Sequence, residues 1–340
     1  MKNLKVIAML LAVTALVFTA YDDLSGSEQG PGEPIVETVG GVRFQLNLAN
    51  DRDSVTFPTG VDDDGIATLN HKFYMGDTQV TYELWKVVYD WATDARARGN
   101  AVYTFANRGR MGSHTEYEFT DQHPVTDVSW RDAIIWCNAL SEMTGLEPVY
   151  RDRNDTNVIL RDSTVAIQNL VEEEEETIYR KGYRLPTSME WEMAARYRGT
   201  DRTNTVTGVV GGVNFGRERI KWTKGNSASG DTGEARAGSS TLGNYAWFPE
   251  TVRDRYPARV NTSQPVSKSD PVDGRRPNAL GLYDMSGNVD EWCFTSSGTS
   301  RVLRGGRWGG SPILLRVGHV SVAGPSINSG MRGFRLAKTK

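Results

Sequence analysis

Glycine limits this chain more than any other residue. There are 35 in 340 positions, spread along the sequence, and each one inside a helix or strand costs about 0.5–1 kcal/mol relative to Ala. A helical bundle is therefore excluded and a fold of many turns is expected. The chain is still no disordered polymer, because 9 Trp, 13 Tyr and 10 Phe within a 38% hydrophobic composition can fill a core. No collagen-like or coiled-coil period runs through it. Cys137 and Cys293, the two cysteines, cannot build a disulfide framework and match no zinc spacing. A net charge of −3 marks neither a polyanion nor a general nucleic-acid binder.

The N-terminus reads as a targeting device. Lys2 and Lys5 precede the uncharged run 6–20, a basic region and a short apolar stretch that suit an export signal better than a membrane span. Residues 1–20 are read as that signal and residues 21–40, rich in Ser, Gly, Glu and Pro, as a flexible tether. Phe18, Thr19 and Ala20 would complete a bacterial lipoprotein cleavage box if a Cys followed, but position 21 is Tyr. The protein is expected to be exported, at a bacterial cell surface in the manner of an outer-membrane lipoprotein. It would touch the membrane only through a lipid anchor, and only if position 21 is naturally Cys.

Three helices can be placed in the folded part. Thr81 caps a run in which Leu84, Val88 and Trp91 share a face, ending near Gly99. Ser129 with Asp132 forms a capping box ahead of Ala133, Ile134, Cys137 and Leu140, closed by Gly145. Thr187 with Glu190 repeats the device, with Trp191, Ala194 and Ala195 facing inward and Gly199 at the end. Elsewhere, short apolar stretches such as 42–46 and Val302-Leu303 alternate with Gly and Asn, which predicts short strands and long loops. The class is α+β. The acidic run 172–176 reads as a solvated loop.

A series of motifs then appears in order: His123-Pro-Val-Thr-Asp-Val-Ser-Trp130, Gly182-Tyr-Arg-Leu-Pro-Thr187 with Glu190-Trp-Glu192, Asn278-Ala-Leu-Gly-Leu-Tyr-Asp-Met285, Ser286-Gly-Asn-Val-Asp-Glu-Trp292, Arg304-Gly-Gly306 with Trp308, and Gly333-Phe-Arg-Leu336. Together they resemble the formylglycine-generating enzyme, or sulfatase-modifying factor, family. The resemblance implies one elaborated C-type lectin domain of low regular secondary structure over residues 41–340. It also implies an enzyme whose two redox-active cysteines follow the Arg-Gly-Gly segment. Those positions fall at about Gly310 and Leu315, and no Cys occurs after Cys293. No other side chain supplies thiolate chemistry, so no catalytic residue is expected. No cofactor is required. In enzymes of the family a structural calcium is held at the positions of Asp284, Gly287, Val289 and Glu291, the middle two through backbone carbonyls, which makes these four the candidate metal ligands.

The last residues carry the specific clue. After Glu291 there are six Arg and two Lys and no acid, a charge of +8 against −11 before it. Between the framework-like Trp308, Pro325 and Gly333-Phe-Arg lie small, mixed residues. They resemble the variable region of proteins diversified by diversity-generating retroelements, many of which use this family's fold. Such elements rewrite template adenines, and the reachable residues exclude Lys, Glu, Gln, Met and Trp; none of these occurs in 309–330. The resemblance implies a variable region at about 304–335. Its ligand-binding face would carry Arg307, Gly309, Gly310, Ser311, Ile313, His319, Ser321, Val322, Gly324, Ser326, Ser329 and Arg332, with Arg307, Ile313 and His319 as the anchors. The expected partner is a protein or glycan on another cell. Three alternatives remain open here: a family enzyme with unrecognised chemistry, a lectin holding sugar through Ca²⁺ on solvent-facing Asp284 and Glu291, and an anionic ligand such as a sulfated glycan or nucleic acid. Nucleic acid is not expected, because Arg304 and Arg335 are read as pairing with acids elsewhere in the fold.

Overall fold

The computed structural model describes residues 32–112, 120–165, 178–235, 241–248 and 275–340. The leader, position 21, His114 and the acidic run 172–176 lie outside the described residues.

Among the described residues, fifteen short strands and four α-helices alternate with loops. The strands are β1 (Ile35–Val39), β2 (Val42–Asn50), β3 (Val55–Thr59), β4 (Gly65–Leu69), β5 (Phe73–Gly76), β6 (Arg110–Met111), β7 (Val125–Thr126), β8 (Tyr183–Arg184), β9 (Val209–Val210), β10 (Val213–Asn214), β11 (Asp290–Ser297), β12 (Ser300–Arg304), β13 (Ser321–Ala323), β14 (Arg332–Gly333) and β15 (Ala337–Thr339). The helices are α1 (Tyr82–Thr93), α2 (Ala95–Arg98), α3 (Trp130–Met143) and α4 (Ser188–Arg196). One sheet runs β1-β2-β5-β15-β8 and a second runs β13-β12-β11-β14. Within the second, β14 is parallel to β11 and the other pairs are antiparallel.

The tether is shorter than its composition suggests. Residues 35–39, assigned to it above, form β1 on the edge of the first sheet. Gly40 and Gly41, which look like the end of a linker, are the two-residue turn joining β1 to β2. Both have positive φ, +53° and +85°, as the tight hairpin turn demands.

Both capping boxes form. Ser129 and Asp132 close reciprocally on α3, and Thr187 and Glu190 on α4. The first helix breaks at Asp94, whose carboxylate caps α2 instead of continuing α1. The last stops at Arg196 because Tyr197 turns extended and bridges Trp222.

Tryptophan fills the core between α1, α3 and the first sheet. Trp85 and Trp136 stack at 5.7 Å and 6°, and Phe334 sets its edge against both. Phe334 lies between β14 and β15, so the C-terminal end of the segment expected to vary, 304–335, belongs to the main core. A second core surrounds Trp191 of α4, with Met285, Val302 and Val317.

A C-terminal strap on a buried ion-pair scaffold

Arg304, the last residue of β12, is 1% exposed. It donates to Glu192 Oε2 at 2.6 Å, to Ser188 Oγ at 2.9 Å, and to the carbonyls of Val317 and His319 at 3.3 and 3.0 Å. One guanidinium thus ties the start of α4 to the segment that follows β12. Glu192 in turn takes Arg196 Nε and Nη2 at 2.9 and 2.8 Å, and Arg196 reaches Asp63. Arg335, fully buried, meets both oxygens of Glu291 at 2.7 Å. Arg301 lies 4.0 Å over the Trp130 ring. Three of the six tail arginines are therefore framework, as read for Arg304 and Arg335, and the apparent positive tail is largely neutralised by acids from earlier in the chain.

Residues 305–331 form a strap from β12 to β14, pinned by its main chain. Trp308 N donates to Asn288 O, Val317 N to Ser227 O and Gly318 N to Gly225 O, at 2.8, 2.8 and 3.0 Å. From outside, Asp127 N and Arg131 N donate to the carbonyls of Ser329 and Pro325. In its middle, β13 adds an edge to β12, with Val322 opposite Val302. None of these bonds uses a strap side chain.

The side chains divide accordingly. Gly309, Ser311, Ile313, Val322 and Ser326 are exposed; Arg307, His319, Ser321, Gly324, Ser329 and Arg332 are half-buried. Gly310 is a correction: it is buried, donates its N–H to Arg307 O, and a Cβ there would stand 2.8 Å from Leu314 Cδ1. It supports the turn and presents nothing to a ligand. Of the three anchors, Ile313 is 47% exposed, Arg307 is bound to Asp290 at 2.6 Å, and His319 hydrogen-bonds Ser321 at 3.1 Å. Burial, with Arg304, Arg316 and Arg307 nearby, holds the His319 pKa below its ordinary value. Sequence reasoning passed over Val320 and Ile327, which are 46% and 51% exposed; a hydrophobic residue gives no signal of facing outward until its neighbours are placed.

The thiol positions are closed. Leu315 is fully buried among Ala228, Ala235, Leu242, Ala246 and Phe248. Cys137 and Cys293 are both 0% exposed, and burial pushes the Cys137 thiol far up. Two buried cysteines on α3 and β11 fit no catalytic pair.

Asp284 and Glu291 are 2% and 0% exposed, which removes the lectin reading that needed them facing solvent. Glu291 accepts four hydrogen bonds, two from Arg335, one from Trp191 Nε1 at 2.8 Å and one from Gln79 Nε2 at 3.0 Å, so every lone-pair direction of the carboxylate is used. The carbonyls of Gly287 and Val289 do converge, but on the Gln79 amide nitrogen, at 3.4 and 3.1 Å. Among the described residues no three His, Cys, Asp or Glu side chains gather where they could hold a metal. Asp284 Oδ1 is buried without a partner. Burial, only partly opposed by Arg335 and Asn288, pushes its carboxyl up to about 7. As arranged, these residues do not fit a calcium ion.

His71, which has no partner by spacing, bonds Glu190 at 2.7 Å across 119 residues. Burial alone would raise the Glu190 carboxyl, but Arg184 and His71 together bring it down to about 2. A cleft of about 400 Å³ lies elsewhere, lined by Arg52, Thr56, Glu218 and Trp222 among others, and none of the expected site residues lines it.

Sheets this short, a strap doubling back over one face and a buried Glu–Arg lattice beneath it define an elaborated C-type lectin fold without a thiol pair. The chain belongs to the family of the sulfatase-modifying factor enzyme 1-like domain, whose profile matches residues 35–340. Among solved structures, Treponema denticola variable protein 1 is similar, with a TM-score of 0.59 and 27% identity over 90% of this chain and 99% of that one. The chaperone protein LppX of Paenibacillus barcinonensis is 28% identical over 280 residues, 79% of this chain and 80% of that protein. The formylglycine-generating enzyme of Streptomyces coelicolor is 31% identical over 178 residues, 46% of either chain.

Proposed function

We propose that this protein is an exported ligand-binding protein whose C-terminal strap is the binding face, diversified by a retroelement and directed at a protein or glycan on another cell. One observation carries the reading: the strap is fastened mainly through main-chain hydrogen bonds and the buried Arg304. Of its exposed side chains Asn328 reaches another part of the fold, at Asn107, while Ser311, Ile313, Val322 and Ser326 make no such bond among the described residues. Residues on such a support can change without changing the fold, at about 0.5 kcal/mol or less each. Exposed Ile313, Val320, Val322 and Ile327 supply apolar area of the kind a partner buries. Partly exposed Arg316 and Arg332 add positive charge beside this patch, which favours a partner with acidic groups around an apolar patch. The similarity to a variable protein supports the same reading, and the filled thiol positions speak against the oxidase chemistry of the family's enzymes.

Diversification is tested on DNA. The expected result is a near-identical copy of the segment encoding residues 304–335 beside a reverse-transcriptase gene, differing only where the copy carries adenine. Differences at other bases would refute diversification and leave ligand binding standing.

A further inference from the structure

We propose that the side-chain amide of Gln79 takes the place of a cation in this protein, so that the turn supporting the binding strap is locked without calcium. Gln79 follows β5 and is 1% exposed. Its Nε2 lies 3.0 Å from Glu291 Oε1, 3.1 Å from Val289 O, and 3.4 Å from both Asp284 O and Gly287 O. Four oxygens from one eight-residue stretch face a single point, and none of them can donate a proton. Without a positive group between them they repel one another in a dry interior. Such a cage of hard oxygens is what a divalent cation ordinarily fills. Here an NH₂ fills it, and the orientation of the amide follows from its surroundings: Nε2 must point inward, because Oε1 in that position would face four acceptors. The cost is visible on the other side, where Gln79 Oε1 is buried with no partner.

The arrangement reaches the strap directly. The turn that wraps Gln79 contains Asp284, Gly287 and Asn288, all at positive φ, of +52°, +88° and +64°. Asn288 O receives the Trp308 N–H and Asp290 pairs with Arg332 across β11 and β14. Both ends of the strap therefore lean on a turn whose inside is held by one neutral side chain. Glu291, whose charge a cation would otherwise have met, is neutralised by Arg335. The inference rests on this geometry and holds whatever ligand the strap takes.

Thermal melting of the full chain in excess CaCl₂ and in excess EDTA tests it, beside Gln79→Glu, which turns the donor into a carboxylate facing four oxygens. The wild type is expected to melt within about 1 °C in the two buffers and to give no calcium heat on titration. A calcium site filled at about 100 times its Kd would raise the melting temperature by about 5 °C or more, and such a rise in the wild type overturns the proposal. Gln79→Glu is expected to melt lower than wild type in EDTA and to regain about 5 °C or more in CaCl₂. Should it be unfolded in EDTA, recovery of folded far-ultraviolet circular dichroism on adding CaCl₂ is the readout. A Gln79→Glu protein as stable as wild type in EDTA, or destabilised and not rescued by calcium, overturns the proposal, since the amide would then not occupy a position a cation can fill.

Discussion

Replacing Glu192 with Gln separates scaffold from face. Among the described residues, Glu192 is the only acid paired with Arg304 and one of two on Arg196, the other being Asp63. In Glu192→Gln the shape survives but Arg304 becomes a buried cation with no counter-charge. Breaking one partner of such a pair costs about 3–5 kcal/mol. For a domain of this size each kcal/mol moves the melting temperature by about 2–4 °C, so a fall of about 10 °C is expected. The matching perturbation exchanges Ser311, His319, Ser321 and Ser326 together, at about 0.5 kcal/mol or less per position. His319 and Ser321 share a hydrogen bond, so their effects combine as one unit and not as two. The sum stays under about 2 kcal/mol, while the ligand selected from a panel of displayed proteins changes. Urea unfolding followed by tryptophan fluorescence gives both numbers. A Glu192→Gln protein within about 1 kcal/mol of wild type, or a face exchange that costs as much as Glu192→Gln, would refute the division of labour.

Asp284→Asn makes stability less sensitive to pH. With its folded carboxyl raised to about 7, the folded state holds a proton that the unfolded state has released above about pH 4, so the stability from this group declines as pH rises from about 4 to about 7. Asn tolerates positive φ and carries no charge, so urea unfolding should show the variant gaining on wild type by up to about 3 kcal/mol between pH 4.5 and 7; parallel pH profiles would count against it. Gly287→Ala should cost several kcal/mol or prevent folding, because φ is +88° and the new Cβ would stand 2.2 Å from Trp247 O; recovery of a protein that melts like wild type would show that the turn can relax. In the native protein neither Cys137 nor Cys293 should react with a thiol reagent, and both should react once urea unfolds the chain; fast labelling of either under native conditions would contradict their burial.

Local chemistry was legible in the sequence and distant pairing was not. Ser129 with Asp132 and Thr187 with Glu190 each place donor and acceptor three residues apart, so their capping boxes could be read directly. The Arg304–Glu192 and Arg335–Glu291 pairs were half-legible: the acid-free tail announced that its arginines needed partners, but 112 and 44 residues separate them. Gly310 looked like its neighbour Gly309 until the packing of Leu314 distinguished them. Gln79 gave no signal at all, because its function depends on four oxygens that come together only when the turn around Gly287 has formed. The candidate calcium ligands share one turn, and the amide nitrogen that this turn faces belongs to a residue some two hundred positions earlier in the chain.

The order of the first sheet sets a condition on any change in the strap. β15 lies between β5 and β8, so the residues that close the sheet are translated after every strap position. A stop codon or frameshift within 305–331 would delete β14 and β15 along with Phe334 and Arg335, open the tryptophan core and leave Glu291 as a lone buried anion. Such a chain cannot complete its domain and becomes a substrate for proteases. Folding itself thus screens changes in the strap: in-frame exchanges leave the sheet closed, and errors of length do not.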